Sequence, residues 1–149
     1  MTRRCLPIAF CSLLLAPAAL IAEDAASAAS TLPAQRILIH VHSDKPEQWR
    51  AALNKANQYM SAKPGTVLVE VLATGDGLKL IHKDSALKAD VSASLEKDVS
   101  FVACHASMRT AHMTIDQLLS GVGTVPSGRR EIAVRKADGW TVLDDKSLK

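Results

Sequence analysis

The chain has 149 residues, of which 48% are hydrophobic, 22% charged and only 3% aromatic. This length suits one domain, the hydrophobic fraction excludes a disordered chain, and the apolar runs are too interrupted for a protein with several membrane spans. Eighteen Lys and Arg against fifteen Asp and Glu give a formal net charge of +3. Because the basic residues form no continuous stripe, no nucleic-acid partner is expected.

The first 28 residues have the organisation of a secretory signal peptide. Arg3 and Arg4 make a basic start, residues 6–22 contain no charged side chain, and an alanine- and serine-rich stretch covers residues 25–30. This pattern predicts cleavage after Ala28, with Ala22 or Ala25 as less favoured ends, followed by export to the periplasm and no membrane attachment. A retained anchor helix is the alternative, but the apolar run is at the lower limit for crossing a bilayer.

The chain is predicted to have four parts, and one cysteine remains after cleavage. Residues 1–28 are the signal peptide, 29–35 a short linker, 36–143 the folded domain and 144–149 a charged tail that we expect to be frayed. Only Cys104 remains in the exported chain, which therefore cannot form an internal disulfide.

The first half of the domain alternates strand and helix signals. Residues 36–42 are a short apolar run rich in branched side chains and predict a buried strand. Asp44 and Pro46 then predict a helix start, and the apolar stripe of this helix begins at Trp49 and ends before Pro64 and Gly65. Residues 66–73 predict the second strand.

The second half repeats this alternation. After a short helical turn over residues 78–82, Asp84 or Ser85 is expected to cap a helix marked by Leu87, Val91 and Leu95. The later elements are a strand over 99–103, a helix with a capping box from Thr114 to Gln117, a strand over 122–125, a helix capped by Ser127 and closed by Gly139, and a strand over 140–143.

Five strands that alternate with helices predict the α/β class. The expected architecture is a three-layer α/β/α domain with a mostly parallel five-stranded sheet. In such sheets a ligand lies beyond the carboxyl ends of the strands. This rule selects the residues that follow the strands: His42 and Ser43, the turn 75–77, Cys104 and His105, and Pro126 and Ser127.

Cys104 is the strongest candidate for a reactive residue because it lies at the end of the third strand. His105 and Arg109 follow it closely in the sequence. Nearby positive charge or free backbone N–H groups would lower the pKa of its thiol and make it reactive. A free cysteine is also one of the most frequently buried residues, so simple packing explains its position equally well. The residues alone leave both interpretations open.

Histidine positions offer a weaker metal-binding alternative. His40 and His42 lie on the same side of one strand, and Cys104 and His112 could complete a zinc site with them. The short His-x-His spacing and the absence of a Cys-x-x-Cys pair argue against it. The turn Gly75-Asp76-Gly77 lacks the rest of a phosphate-binding motif. We therefore expect no metal and no cofactor.

Several segments together resemble the DsrE/DsrF-like sulfur-relay family, in particular its exported single-domain members. The segments are ILIHVHSDKPEQW (37–49), ALNKANQYM (52–60), VEVLATGDGLKLI (69–81), FVACHASMR (101–109) and VPSGRREIAVRKADGW (125–140). They run through nearly all of the exported chain. The match departs directly after the cysteine, where related chains often carry Asn and Thr and this one has His105, Ala106 and Ser107.

The resemblance implies a flavodoxin-like domain that assembles as a homotrimer or homohexamer. In similar proteins a cysteine at the position of Cys104 carries sulfur as a persulfide and passes it to a partner. The leading hypothesis is thus a periplasmic sulfur carrier or sulfurtransferase-like protein, which exchanges sulfur with donor and acceptor proteins or small thiols. His105 and Arg109 would stabilise the anionic sulfur, and His42 would exchange protons near neutral pH.

Two further hypotheses belong to other classes. The second is a non-enzymatic oligomeric module that binds a small ligand at the strand ends and in which Cys104 is only packed. The third, less favoured, is a metal-binding protein that uses His40, His42, Cys104 and His112.

Overall fold

The computed structural model describes residues 35–148, and the predicted signal peptide lies outside them. The strands are β1 (Gln35–Val41), β2 (Val67–Ala73), β3 (Ser100–Cys104), β4 (Gly123–Val125) and β5 (Thr141–Asp144). The helices are α1 (Pro46–Ala62), α2 (Lys88–Leu95), α3 (His105–Thr110) and α4 (Gly128–Ala137). Single 3-10 helices cover Gly75–Ile81, Ile115–Gln117 and Asp145–Ser147. Within residues 35–148 no helix combines the length and apolar character needed to cross a bilayer.

All five strands are parallel and form one sheet in the order β4-β3-β2-β1-β5. The predicted α/β class is therefore confirmed. The sequence predicts a mostly parallel sheet, and the sheet in the structure is entirely parallel. Each parallel pair needs a crossover connection, which explains why helices separate the strands along the chain. Parallel pairing also brings the carboxyl ends of all five strands to one edge.

One face of the sheet supports the main hydrophobic core. Side chains of a strand alternate between faces, and the residues of β1 and β2 at alternate positions are fully or almost fully buried on this side. They pack with the apolar stripe of α1, in a cluster that includes Ile37, Ile39, Val41, Val69, Val71, Trp49, Ala52, Leu53 and Ala56. The helical period read from the sequence around Trp49 thus marks a core-facing stripe.

The opposite face is covered by α4, and Arg135 of this helix forms an ion pair with the sheet. The Arg135 guanidinium contacts the Glu70 carboxylate of β2 at 2.5 Å and the Glu131 carboxylate at 2.7 Å. It also lies 4.4 Å from the centre of the Trp140 ring. Glu70 is only 4% exposed. Burial raises the pKa of Glu70 above its usual value, although Arg135 lowers it in part. We call Arg135, Glu70, Glu131 and Trp140 the Arg135 cluster.

Local helix starts differ from the sequence prediction. Lys45, not Asp44, is the N-cap of α1, and no side chain caps this helix, so Pro46 with its fixed φ marks the start. Leu87 is the N-cap of α2, and the hydroxyl oxygen of Ser85 accepts from the Leu87 amide at 3.2 Å. The capping box of Thr114 and Gln117 is present, but it closes a three-residue 3-10 turn rather than an α-helix.

The charged tail is not frayed, contrary to expectation. Residues 145–147 form a 3-10 helix, and Asp145 is 0% exposed. Its Oδ2 accepts the backbone N–H groups of His42 and Ser43, each at 2.9 Å. Two bonds from a buried carboxylate to the loop after β1 explain why this acidic segment is ordered.

We predict that Arg135→Met lowers the free energy of unfolding by about 2–3 kcal/mol at pH 7, because Glu70 then stays buried without its counter-charge. The raised pKa of Glu70 sets the sign of the pH dependence. In Arg135→Met the loss of stability applies at pH values where the Glu70 carboxyl group is ionised. It vanishes once this group is protonated in the folded state. The difference from the native protein should therefore shrink as pH falls from 7 towards 4 in urea unfolding.

The matched control for this prediction is the double variant Glu70→Gln/Arg135→Met, in which no charge is left unpaired at position 70. It should recover most of the stability that Arg135→Met loses at pH 7. A loss in Arg135→Met that stays constant with pH, or that the second substitution does not relieve, would contradict this account.

Candidate functional site

Cys104 lies at the carboxyl edge of the sheet, as the last residue of β3 and the N-cap of α3. It is 4% exposed. Its side chain contributes to a cavity of about 570 Å³ between the strand ends and the start of α4. The cavity is lined by His40, Thr74, Cys104, Ser107, Ser127, Gly128, Arg129 and Ile132. These residues come from four separate loops or strand ends, which is the expected position for a ligand in a parallel sheet.

Hydrogen-bond donors surround the sulfur of Cys104. The backbone N–H of Gly128 donates to Sγ at 3.2 Å. Burial raises the pKa of the Cys104 thiol, but the hydroxyl and amide of Ser107 and the amides of Gly128 and Ala106 lower it by more. The net pKa lies below the ordinary value for a cysteine. Donors that stabilise an anionic sulfur make Cys104 a better nucleophile near neutral pH than an ordinary buried thiol.

Gly128 is required for the close approach of α4 to the sulfur. A Cβ atom at this position would lie 2.5 Å from Cγ2 of Thr74 and 3.6 Å from Cβ of Cys104. The first distance is shorter than two carbon atoms tolerate, so a larger residue would push the start of α4 away from the strand ends. Glycine thus allows the backbone N–H to reach Cys104.

A second group of polar side chains adjoins the cavity at the ends of β1 and β5. The rings of His40 and His42 are stacked with their centres 5.2 Å apart. Nε2 of His40 lies 2.8 Å from the Thr74 hydroxyl, and its Nδ1 lies 3.4 Å from Oδ2 of Asp144. Nδ1 of His42 lies 3.0 Å from Oδ1 of Asp145. We call His40, His42, Asp144 and Asp145 the histidine–aspartate cluster.

The environment shifts two pKa values in this cluster. Burial lowers the pKa of His40, and the raising effect of Asp144 does not compensate, so the imidazole is neutral at pH 7. Burial raises the pKa of Asp144, but the Lys146 amide and the neighbouring imidazoles of His42 and His40 lower it by more. Asp144 is therefore ionised at neutral pH.

The structure brings only some of the predicted site residues together. Cys104 lines the cavity, whereas His105 and Arg109 are exposed on α3 and are not part of its lining. His42 lies in the histidine–aspartate cluster beside Asp145.

The structure does not bring together the four residues of the third hypothesis, the metal-binding protein. Among residues 35–148 the three potential ligands with donor atoms within 4.8 Å of one another are His40, His42 and Asp144. Cys104 and His112 are not in this group, and His112 is exposed.

Sequence reasoning missed several residues that define the site. The backbone N–H groups of Ala106 and Ser107 lie directly after Cys104, where the sequence predicts free amides near the sulfur, whereas the hydroxyl of Ser107 is not predicted. Gly128 and Arg129 directly follow Ser127, which the strand-end rule had selected. The same rule applied to the fifth strand would have found Asp144 and Asp145, which were assigned to the tail instead.

Another depression, of about 550 Å³, lies on the outer face of α1 and is lined by residues of that helix alone. It contains neither cysteine nor histidine: its lining is Glu47, Arg50, Ala51, Asn54, Lys55 and Gln58. The cavity at Cys104 is therefore the candidate site, because nucleophilic, titratable and hydrogen-bonding groups converge there.

No family model matches the chain, and no curated protein does. Among solved structures, a protein of unknown function from Methanobacterium thermoautotrophicum is 29% identical, with a TM-score of 0.71 over 74% of this chain and 98% of that one. A conserved protein of unknown function from Bacteroides thetaiotaomicron is 16% identical, with a TM-score of 0.57 over 74% of this chain and 94% of that one. These likenesses support the α/β fold, and function must be argued from the site.

We predict that Ser107→Ala raises the pKa of Cys104, because the variant loses the hydroxyl donor to the sulfur. The rate of alkylation by iodoacetamide, measured from about pH 5 to about pH 10, reports this pKa directly, because this range spans the ordinary pKa of a thiol. Ser127→Ala is the control, since Ser127 lines the same cavity. It should leave the pH profile unchanged. Identical profiles for Ser107→Ala and the native protein would contradict the role of Ser107.

Proposed function

We propose that this chain is a periplasmic sulfur carrier similar to the DsrE/DsrF-like proteins, with Cys104 as the residue that holds the sulfur. The observation that supports this proposal best is the set of hydrogen-bond donors around Sγ. These donors lower the pKa of the thiol, although burial alone would raise it. A persulfide is more acidic than a thiol and is held as an anion, so the same donors would stabilise it. The resemblance of the segment 101–109 to that family supports the same assignment.

Sulfur transfer at Cys104 needs no external oxidant. The Cys104 thiolate attacks the sulfane sulfur of a donor such as a polysulfide or thiosulfate, and a new S–S bond forms. The donor's own S–S bond breaks, and the shortened polysulfide or sulfite leaves with the electron pair. An acceptor thiolate then attacks the outer sulfur, the bond to Cys104 breaks, and the Cys104 thiolate is restored. No cofactor takes part in either step.

Residues around the cavity have separate roles in this scheme. Backbone N–H groups at Ala106, Ser107 and Gly128 hold the negative charge on sulfur. The exposed guanidinium of Arg129 at the cavity lining attracts an anionic donor. His105 and Arg109 do not line the cavity, so in this scheme Arg129 and these amides stabilise the negative charge.

Incubation with polysulfide should increase the mass of the native protein by about 32 Da, the mass of one sulfur atom held as a persulfide. Cys104→Ser should show no gain, because it lacks the accepting thiolate. Intact-mass spectrometry measures both, and release of the added mass by dithiothreitol shows that the sulfur is bound as a persulfide. His105→Ala should still gain the mass, since His105 does not line the cavity. A native protein without any Cys104-dependent gain would refute the proposal.

The low exposure of Cys104 favours a second function, a module that binds a small ligand while the cysteine is only packed. At 4% exposure the thiol would be reached only through the cavity. A thiol reagent such as Ellman's reagent separates the two functions. A carrier reacts in the folded state, whereas in a binding module Cys104 reacts only after denaturation.

We also propose that the chain forms a closed homo-oligomer, with three or six copies as the family resemblance implies. This proposal is supported by the incomplete cover on the α4 side of the sheet. Leu68 lies on β2 two residues before Glu70, on the same side, and is 46% exposed although β2 is a central strand. Val134 on α4 is exposed to a similar degree. Apolar side chains on a central strand and its covering helix are typical of a contact surface.

Light scattering should therefore report a multiple of about 13 kDa, the mass expected for the exported chain from its length. Leu68→Asp should lower that multiple, because it places a charge in the proposed contact. Ile115→Asp is the matched control: Ile115 is 63% exposed, but it lies on the 3-10 turn after α3. It should leave the mass unchanged. A native protein that is monomeric at micromolar concentration would contradict the assembly.

A further inference from the structure

The histidine–aspartate cluster lies where the order of the strands reverses. From β4 to β1 the strands follow each other in sequence, and β5 then joins on the other side of β1. Ligands of open α/β sheets bind at this reversal, beyond the carboxyl ends of the strands. His40 and Asp144 are direct partners in the register of β1 with β5, and His42 follows two residues later on the same side of the chain. The topology thus places two imidazoles and a carboxylate at the expected position for a ligand.

Distances within the cluster match those between the ligands of one metal ion. Oδ2 of Asp144 lies 3.4 Å from Nδ1 of His40 and 3.8 Å from Nδ1 of His42. Two ligands of a tetrahedral ion at bond lengths of about 2.1 Å are about 3.4 Å apart. In the described part of the chain, the three donor atoms of His40, His42 and Asp144 lie within 4.8 Å of one another. Small side-chain adjustments would bring all three to bonding distance of a common centre.

Two buried atoms of the cluster have no hydrogen bond. Nδ1 of His42 and Oδ1 of Asp145 are both buried, and neither has a hydrogen-bond partner of acceptable geometry among residues 35–148. They nevertheless lie only 3.0 Å apart. An imidazole nitrogen and a carboxylate oxygen that are close but not aligned for a hydrogen bond leave two lone pairs unused. Buried polar atoms are seldom left unpaired, and a cation beside them would satisfy both.

The remaining contact of His40 resembles the support that metal-bound histidines receive. Its Nε2 lies 2.8 Å from the hydroxyl of Thr74. When Nε2 donates its hydrogen to this hydroxyl, Nδ1 carries the lone pair that faces Asp144. A histidine ligand in proteins is held in this way, with the second ring nitrogen bonded to a fixed acceptor.

We propose that His40, His42 and Asp144 bind a divalent first-row transition-metal ion, of the class represented by Zn²⁺, with the Asp145 carboxylate beside it. Two imidazoles and one carboxylate suit such ions, whereas Mg²⁺ and Ca²⁺ prefer sites made of oxygen alone. The site does not include Cys104, so it is independent of the sulfur chemistry proposed for that residue. It adjoins the Cys104 cavity, because His40 also lines that cavity.

Isothermal titration calorimetry tests this site with ZnCl₂ as the probe, on protein purified without a histidine tag and stripped with a chelator. We expect saturation at one equivalent. His42→Ala and Asp144→Asn should each weaken Zn²⁺ binding by about tenfold or more, because each removes one ligand. Co²⁺ in place of Zn²⁺ should give visible d–d bands without a near-ultraviolet band from sulfur ligation.

Matched controls separate this site from other contacts of zinc with the protein. His105→Ala and His112→Ala remove exposed histidines outside the cluster and should leave the affinity within about twofold. Cys104→Ser should also bind normally, which distinguishes failure of this site from failure of the sulfur carrier. Far-UV circular dichroism checks that each variant is folded. If His42→Ala does not fold, the test depends on Asp144→Asn, which keeps the shape of the side chain. Absence of saturable binding, or equal weakening by Cys104→Ser or His105→Ala, would overturn the proposal.

Discussion

The contact between Arg135 and Glu70 is the interaction on which the rest of the molecule depends. Glu70 is a buried carboxyl group on a central strand, where its ionised form is costly unless a cation lies beside it. Arg135 supplies it from α4 and is itself held by Glu131 and the Trp140 ring. The helix is thereby fixed on the second face of the sheet. Its first residue, Gly128, then lies where its backbone N–H reaches the sulfur of Cys104.

Parallel pairing explains why two chemically different groups lie side by side. The carboxyl ends of all strands share one edge, so Cys104 from β3 and the histidine–aspartate cluster from β1 and β5 are neighbours, although they are distant in sequence. Thr74 at the end of β2 lies between them and bonds His40. His40 belongs to both, since it lines the Cys104 cavity and contacts Asp144.

Electrostatics, more than exposure, distinguishes Cys104 from a packed core cysteine. A sulfur surrounded by apolar groups has a raised pKa and is inert, whereas the donors of Ser107, Ala106 and Gly128 reverse that effect. The two similar solved structures from Methanobacterium thermoautotrophicum and Bacteroides thetaiotaomicron are of proteins of unknown function. One fold hosts many activities, so the proposed sulfur chemistry rests on these donors and on the cavity that admits a donor molecule.

The fold class, the five strands and the position of Cys104 at a strand end are all predictable from the amino-acid sequence. They follow from local patterns, namely branched apolar runs, the helical stripe of Trp49 and turn residues, which act over a few residues. Contacts between side chains that are distant in the chain depend instead on the tertiary structure. The charged neighbours of Asp145 predict a frayed tail, yet Asp145 is buried and accepts hydrogen bonds from a loop about a hundred residues earlier. The amides of Ala106 and Ser107 follow Cys104 directly and belong to a local pattern, whereas the N–H of Gly128 reaches the sulfur only through the crossover to α4, which no local pattern encodes.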